Sequence, residues 1–193
     1  MLVQLLDVDY FLNGNKPVLR LYCKTDTGRS VCFFYDKFLP YFYVRKTQET
    51  LKKLEELGVE FSMEKKFLPI GYEQEPTDLI RITLNDPGSV PKVRDVFKES
   101  FDSDVLFKYR FMIDMGLKGM AWYEIEGSPV RTHMIKIPTY NIKSIAPVDR
   151  TENSELRILC IDIECLQTDF TRQMDARKDP VIMISLSFSP EHK

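Results

Sequence analysis

The chain has 193 residues, 44% hydrophobic and 29% charged, with a net charge of -2 and an isoelectric point near 5.8; that is enough for one large or two small cores and argues against a domain that grips nucleic acid by overall charge. No apolar run approaches the roughly 18 to 20 residues of a membrane helix, and Met1-Leu2-Val3-Gln4 lacks the basic and long apolar regions of a secretory leader. Cys23, Cys32, Cys160 and Cys165 form no C-x-x-C pair and the histidines are His133 and His192, which argues against structural zinc and for an intracellular chain with reduced thiols.

Residues 1–40 read as a β layer. Val3 to Tyr10, Val18 to Cys23 and Ser30 to Tyr35 are alternating runs, separated by the turns Asn13-Gly14-Asn15 and Thr27-Gly28, which predicts an antiparallel meander. Residues 41–114 read strand, helix, strand, strand, helix, strand. Residues 41–45 are extended; Thr47 caps a helix with Leu51, Leu54 and Leu57 at helical spacing, and Gly58 ends it. Strands follow at 59–63 and 79–84, after a loop holding Pro69, Gly71 and Pro76. Ser89 then caps a second helix with Pro91 in its first turn and Val93, Val96 and Phe97 on one face, and Val105-Leu106-Phe107 closes the set as a strand. That order predicts a ferredoxin-like βαββαβ unit.

The same frame carries many RNA-binding modules, but their basic-Gly-aromatic-Gly-aromatic consensus is absent. Tyr41, Phe42, Tyr43, Phe61 and Phe107 therefore read as core rather than stacking platforms. The pairs Lys52-Lys53 and Lys65-Lys66 read as solvated faces, and Lys108, Arg110 and Lys118 form a third basic region. Beyond Met120, residues 122–127 and 134–137 read as strands returning to the β layer, and the polar stretch 144–154, with Pro147, reads as a linker.

The run Leu156-Arg157-Ile158-Leu159-Cys160-Ile161-Asp162-Ile163-Glu164-Cys165 has apolar residues on both parities, which predicts a central strand covered on both faces. Asp162 and Glu164, two apart, fall on the same side of it, about 6 to 7 Å from each other. Two carboxylates so placed suit a shared divalent cation; where the strand emerges into solvent they are ordinary surface acids.

This run resembles the first exonuclease motif of the family B DNA polymerases, and residues 177–185, Arg-Lys-Asp-Pro-Val-Ile-Met-Ile-Ser, resemble that family's second exonuclease strand. Upstream, Leu6-Asp7-Val8-Asp9-Tyr10, Phe38-Leu39-Pro40-Tyr41-Phe42-Tyr43 and Tyr109-Arg110-Phe111-Met112-Ile113-Asp114-Met115-Gly116-Leu117 resemble the amino-terminal domain of the same polymerases, archaeal and delta-like members especially. The resemblance implies an α+β chain: an antiparallel β layer (1–40 and 120–153), a ferredoxin-like subdomain (41–119), and the first strands of an RNase H-like 3'-5' exonuclease domain (154–193).

It further implies a DNA-directed DNA polymerase, a nucleotidyltransferase of DNA replication, working on a DNA template and primer with Mg2+ or Mn2+. Localisation is expected in cytoplasm and nucleoid, or in a nucleus, with no membrane partner; a replication clamp would bind through other regions. Asp162 and Glu164 become the first catalytic metal ligands of the proofreading nuclease. Two-metal hydrolysis needs further carboxylates, and Asp169, Asp175, Asp179 and Glu191 stand in none of the family's later motif settings. The chain is thus expected to be part of a longer polymerase, without nuclease or polymerase turnover of its own and with weak metal binding.

Archaeal members carry in this region a pocket that captures deaminated template bases, uracil in particular. The positions resembling it are Tyr10, Pro40, Tyr41, Pro87, Val90, Val105, Phe107 and Arg110, with one departure: Leu106 stands where the family has proline. Delta-like members are not known as a class for this capture, and the same residues also suit plain domain packing. A different reading is a non-catalytic single-stranded nucleic-acid-binding module; a small stand-alone metal nuclease is disfavoured by the missing carboxylates.

Overall fold

A computed structural model describes residues 1–68 and 71–189; Pro69, Glu191 and His192 lie outside the described residues. The chain divides into two compact units, Met1–Glu152 and Asn153–Lys193. The first holds, in chain order, β1 (Leu2–Asn13), β2 (Lys16–Thr25), β3 (Ser30–Tyr35), β4 (Tyr41–Arg45), α1 (Gln48–Leu57), β5 (Glu60–Lys66), β6 (Thr77–Thr83), α2 (Val90–Arg94), α3 (Phe107–Asp114), β7 (Trp122–Val130) and β8 (Thr139–Val148). The second holds β9 (Ile158–Cys165) and β10 (Val181–Ser189). The chain is a mixed α+β protein made mostly of sheet.

Five strands close into a barrel in the order β1-β2-β3-β8-β7, antiparallel throughout except for β3 against β8. Alternation points Leu19, Leu21 and Cys23 of β2 and Val31 and Phe33 of β3 into the core. In β1 the inward set runs Val3, Leu5, then Val8, and a bulge between Leu5 and Asp7 absorbs the change of parity. Gly14 turns β1 into β2 at a φ of 61°, which a side chain would resist. Helix α3 plugs one end: Phe107 and Phe111 enter the barrel core, each stabilising it by about 1.5 to 3 kcal/mol through burial. This strand order, single parallel pair and plugging helix are those of an OB-type barrel.

Between β3 and α3 lies a three-stranded antiparallel sheet, β4-β6-β5. Helix α1 forms as its sequence predicts: the Thr47 hydroxyl accepts from the Thr50 amide at 3.0 Å, and Gly58 ends the helix at a φ of 60°. Its Leu54 packs on Phe42, Val44, Ile80 and Ile82. On the outer side of β4, Tyr43 and Phe101 exchange both backbone hydrogen bonds at 3.0 and 2.8 Å.

Several sequence expectations need correction. Residues 105–107 are not a strand, so no full fourth strand completes a ferredoxin-like sheet: the amides of Tyr109 and Arg110 both return to the Leu106 carbonyl and start α3 there. The second helix is a 3-10 turn, Pro87–Ser89, followed by the single helical turn of α2. Ser89 does not cap it, because its hydroxyl donates to Asp86, the residue that caps the 3-10 turn. Val93 and Phe97 still pack inward, whereas Val96 is exposed.

Residues 134–137 form no strand, and 144–148 belong to β8 instead of a linker. Pro147 is tolerated there because β3 pairs with β8 only at Thr139, Tyr140 and Asn141, leaving the far side of β8 free of a ladder at Pro147. In the second unit β9 is not a buried central strand: Leu159, Ile161 and Ile163 are each more than half exposed. Among the described residues of that unit, β9 has only β10 beside it and no covering layer.

Candidate functional site

One cavity of about 580 Å³ in the first unit is lined by all eight residues that the resemblance singles out: Tyr10, Pro40, Tyr41, Pro87, Val90, Val105, Phe107 and Arg110. They come from the end of β1, the entry to β4, the 3-10 turn with α2, and the start of α3. Chain segments far apart in sequence thus converge because the sheet insert folds back beside the barrel mouth. The wall also contains Pro91, Arg94, Asp102, Ser103, Asp104, Leu106 and Lys108.

The wall is held by aromatic and ionic contacts. Tyr10, 39% exposed, meets Phe107 edge to face at 5.1 Å between centroids. Tyr41 lies between two guanidiniums, Arg81 at 3.7 Å and Arg110 at 5.1 Å, and its hydroxyl donates to Asp114 at 2.5 Å. Burial, and then the Asp114 bond, push its phenol above the ordinary value. Arg110, whose side chain is 11% exposed, pairs with Asp102 at 2.6 Å and reaches Asp114 at 3.8 Å. Burial works against its charge, yet the Asp102 hydrogen bond and the surrounding oxygens carry its pKa upward. Its Nε is buried without a hydrogen-bond partner.

Asp102 sits at a φ of 60°, in the left-handed region. Sequence reasoning passed over it; the available signal was the short polar run Asp102-Ser103-Asp104 just ahead of an apolar triplet, a turn signature. The cavity is apolar at Tyr10, Val90, Val105 and Phe107 and charged at Arg94, Asp102, Asp104, Lys108 and Arg110, a composition that suits a flat, polar-edged guest. Leu106, 62% exposed, carries a backbone N–H that proline lacks.

The aromatics read as core behave so at Tyr41, Phe42, Tyr43 and Phe107, all buried, but Phe61 is 38% exposed on edge strand β5. No open stacking platform exists on β4, where Tyr43 is covered by Lys66 at 4.5 Å. Lys53, Lys65 and Lys66 each stand beside an acid, Glu49, Asp78 and Glu64 respectively.

In the second unit Asp162 and Glu164 lie on β9 opposite Ser185 and Met183 of β10. Both are exposed. Among the described residues no group of three or more His, Cys, Asp or Glu is placed to hold a metal. Two carboxylates on one strand face are a fitting but incomplete donor set for Mg2+ or Mn2+. The later acids serve the connecting loop instead. Asp179, 3% exposed, takes both guanidinium nitrogens of Arg172 at 2.7 and 2.5 Å and the Asp175 amide at 2.8 Å; Asp169 accepts from Thr171, and Asp175 from Arg177.

Residues 98–193 match the family described as DNA polymerase family B, exonuclease domain, a span that includes one wall of the cavity and the carboxylate pair. The chain is 30% identical to the DNA polymerase delta catalytic subunit of Dictyostelium discoideum, over 89% of this chain and 20% of that protein. It is 32% identical to a DNA polymerase of Archaeoglobus fulgidus, over 94% of this chain and 23% of the relative. The chain belongs to the family B DNA polymerases. The solved family B DNA polymerase of Pyrobaculum calidifontis superposes with a TM-score of 0.73 at 25% identity, covering 98% of this chain and 26% of that one. This family B chain thus spans about a fifth to a quarter of the length of the relatives it matches. No helix among the described residues is long and apolar enough to cross a membrane.

Proposed function

We propose that this chain serves a DNA-directed DNA polymerase of replication as its amino-terminal region, senses deaminated bases in the template strand, and contributes the first metal ligands of a proofreading 3'-5' exonuclease. The observation that carries the sensing role is the convergence of all eight resemblance-derived residues on one cavity. A flipped pyrimidine would sit against Tyr10, Val90 and Phe107, its edge read by backbone groups of the 105–107 segment, and the cavity wall would exclude a methyl at the thymine position. The three-stranded sheet with Phe101 beside β4 we read as a ferredoxin-like subdomain (41–119) whose last strand is cut to one bridge. Around it, 1–40 and 120–153 form the β domain, and 154–193 opens the exonuclease domain.

Asp162 and Glu164 would hold Mg2+ or Mn2+, which when bound activates water for phosphodiester hydrolysis. The partners are template and primer DNA, with a clamp engaged through other regions, and the site of action is wherever the cell replicates its DNA. The chain alone is expected to show no turnover.

The test is the affinity of the chain for short single strands with and without one uracil, by fluorescence anisotropy at fixed salt. A preference of about tenfold, some 1.4 kcal/mol, that Val90→Gln abolishes supports the reading; equal affinities overturn it. A separate metal titration should find Mg2+ or Mn2+ held only weakly, because two carboxylates leave most of the coordination shell to water.

A further inference from the structure

The outer wall of the barrel carries a second apolar cluster, in which Val18, Cys32 and Phe34 are buried and Phe11 and Tyr22 are partly exposed. Positions that alternation turns outward on β1, β2 and β3 include Phe11, Val18, Tyr22, Cys32 and Phe34, which form an apolar cluster of their own outside the core. Phe11 and Phe34 lie 5.4 Å apart. The guanidinium of Arg20 stands over both Phe11, at 5.4 Å, and Tyr22, at 5.8 Å, and two 2.6 Å bonds to Asp9 fix its plane. Ile135 and Ile137, from the segment between β7 and β8, lie across part of this cluster.

Charge is segregated on the same elements. Residues 10–25, 27–35 and 127–148, which supply β2, β3, the end of β1 and the β7-β8 connection, contain seven of the chain's 27 Lys and Arg and none of its 29 Asp and Glu. The acids that β1 does bring, Asp7 and Asp9, are engaged by Lys108 at 3.5 Å and by Arg20. Asp26, exposed in the turn between β2 and β3, is the acid that interrupts these ranges, so a chain of net charge -2 presents a stretch rich in Lys and Arg around an aromatic cluster.

In barrels of this topology the face of the second and third strands, with the loops joining strands one to two and four to five, takes oligonucleotides. Here those loops are the Asn13-to-Lys16 turn and the 131–138 segment, with exposed Lys16, Arg131 and Lys136. We infer that the outer face of β1, β2 and β3 is a second binding surface for single-stranded nucleic acid, separate from the base cavity and indifferent to uracil. Bases stack on Phe11, Tyr22 and the Arg20 plane, while phosphates follow Lys16, Lys24 and Lys136.

The test is an anisotropy titration of the 193-residue chain with oligo-dT across a salt series. Expected is an affinity that falls with salt, with a log-log slope of roughly -2 to -3, the value for three or four phosphates on a single strand. Lys16→Glu with Lys136→Glu should flatten that slope and weaken oligo-dT and a uracil-bearing strand by the same factor, which failure of the uracil reading would leave untouched. Phe11→Ala or Tyr22→Ala should each cost roughly tenfold. The double Lys variant changes only exposed side chains and so decides the matter even if an aromatic variant unfolds. Salt-independent binding, binding unaffected by the two Lys changes, or equal affinity for poly-glutamate would overturn the inference.

Discussion

Asp102 brings two opposed contributions to the cavity, and their sizes can be separated by substitution. Its backbone lies at a φ of 60°, a region costing an ordinary L-residue about 1 to 2 kcal/mol and an Asp or Asn less. Its carboxylate, 36% exposed, holds the buried Arg110 at 2.6 Å, and a hydrogen bond to a charged group contributes about 1.5 to 3 kcal/mol. Arg110 keeps Asp114 at 3.8 Å, so removing Asp102 leaves it weakly partnered rather than alone, and about 2 kcal/mol is the fair figure for the loss.

Asp102→Ala loses the ion pair and takes on the left-handed strain, about 3 kcal/mol in all. Asp102→Gly loses the pair but accepts the backbone, about 2 kcal/mol. Asp102→Asn keeps an acceptor oxygen and tolerates the backbone, at about 1 kcal/mol. For a unit of this size each kcal/mol moves Tm by about 2 to 4 °C, so thermal denaturation followed by circular dichroism should rank the variants Asn, Gly, Ala from most to least stable. Equal Tm for Gly and Ala would refute the claim that the backbone at 102 carries strain, and Asn as low as Ala would place the whole effect on charge.

Other outcomes follow from the buried groups. Tyr43 is pushed up to about 12, and Tyr41 is also raised, by burial first and then by Glu64 and Asp114 respectively; the folded state keeps these phenols neutral, so their stabilisation is full below pH 10 and fades as pH rises from there through 12. Phenolate absorbance should show a late-titrating set that includes Tyr41 and Tyr43, with Tyr22 also raised by burial; all nine tyrosines titrating as one class would contradict the packing. Asp179 is held down to about 2, chiefly by Arg172 and then by the Asp175 amide; its contribution is present above pH 3.8 and lost as pH falls through about 2. A carbon-detected carboxyl titration with a midpoint near 3.8 would exclude the clasp. Burial lifts Cys23 to about 12 and Cys32 to about 11, so a thiol reagent should modify Cys160 and Cys165 quickly and the other two only on unfolding; fast labelling of Cys23 would show that the barrel opens.

How far the sequence was legible follows from how local each signal is. Helix α1 was readable to its ends because Thr47, the leucine spacing and Gly58 act within one segment. The first three barrel strands were readable because their alternation and Gly turns are equally local. Residues 105–107 were not: Val-Leu-Phe suits a strand by composition, and only the Leu106 carbonyl's two acceptances and the seat of Phe107 beside Tyr10 and Phe38 make it a helix start. β8 was missed for a similar reason, since Pro147 argues for a linker unless one knows that its outer side has no neighbour at that point.

The cavity shows the opposite relation between local and distant information. None of its eight residues has a spacing that signals a site, and Pro40, Val90 and Val105 would pass for packing in any domain. Resemblance selected them, and the fold brings them to one wall. Arg110 adds a buried Nε without a partner, as does Arg81 outside the cavity wall; both guanidiniums stand over the Tyr41 ring, so this feature belongs to the packing around Tyr41. Exposed on a strand that has only β10 beside it among the described residues, Asp162 and Glu164 have the spacing of a metal pair but not the burial that would force one, so a cation there would need further carboxylates, whereas the cavity already has its walls.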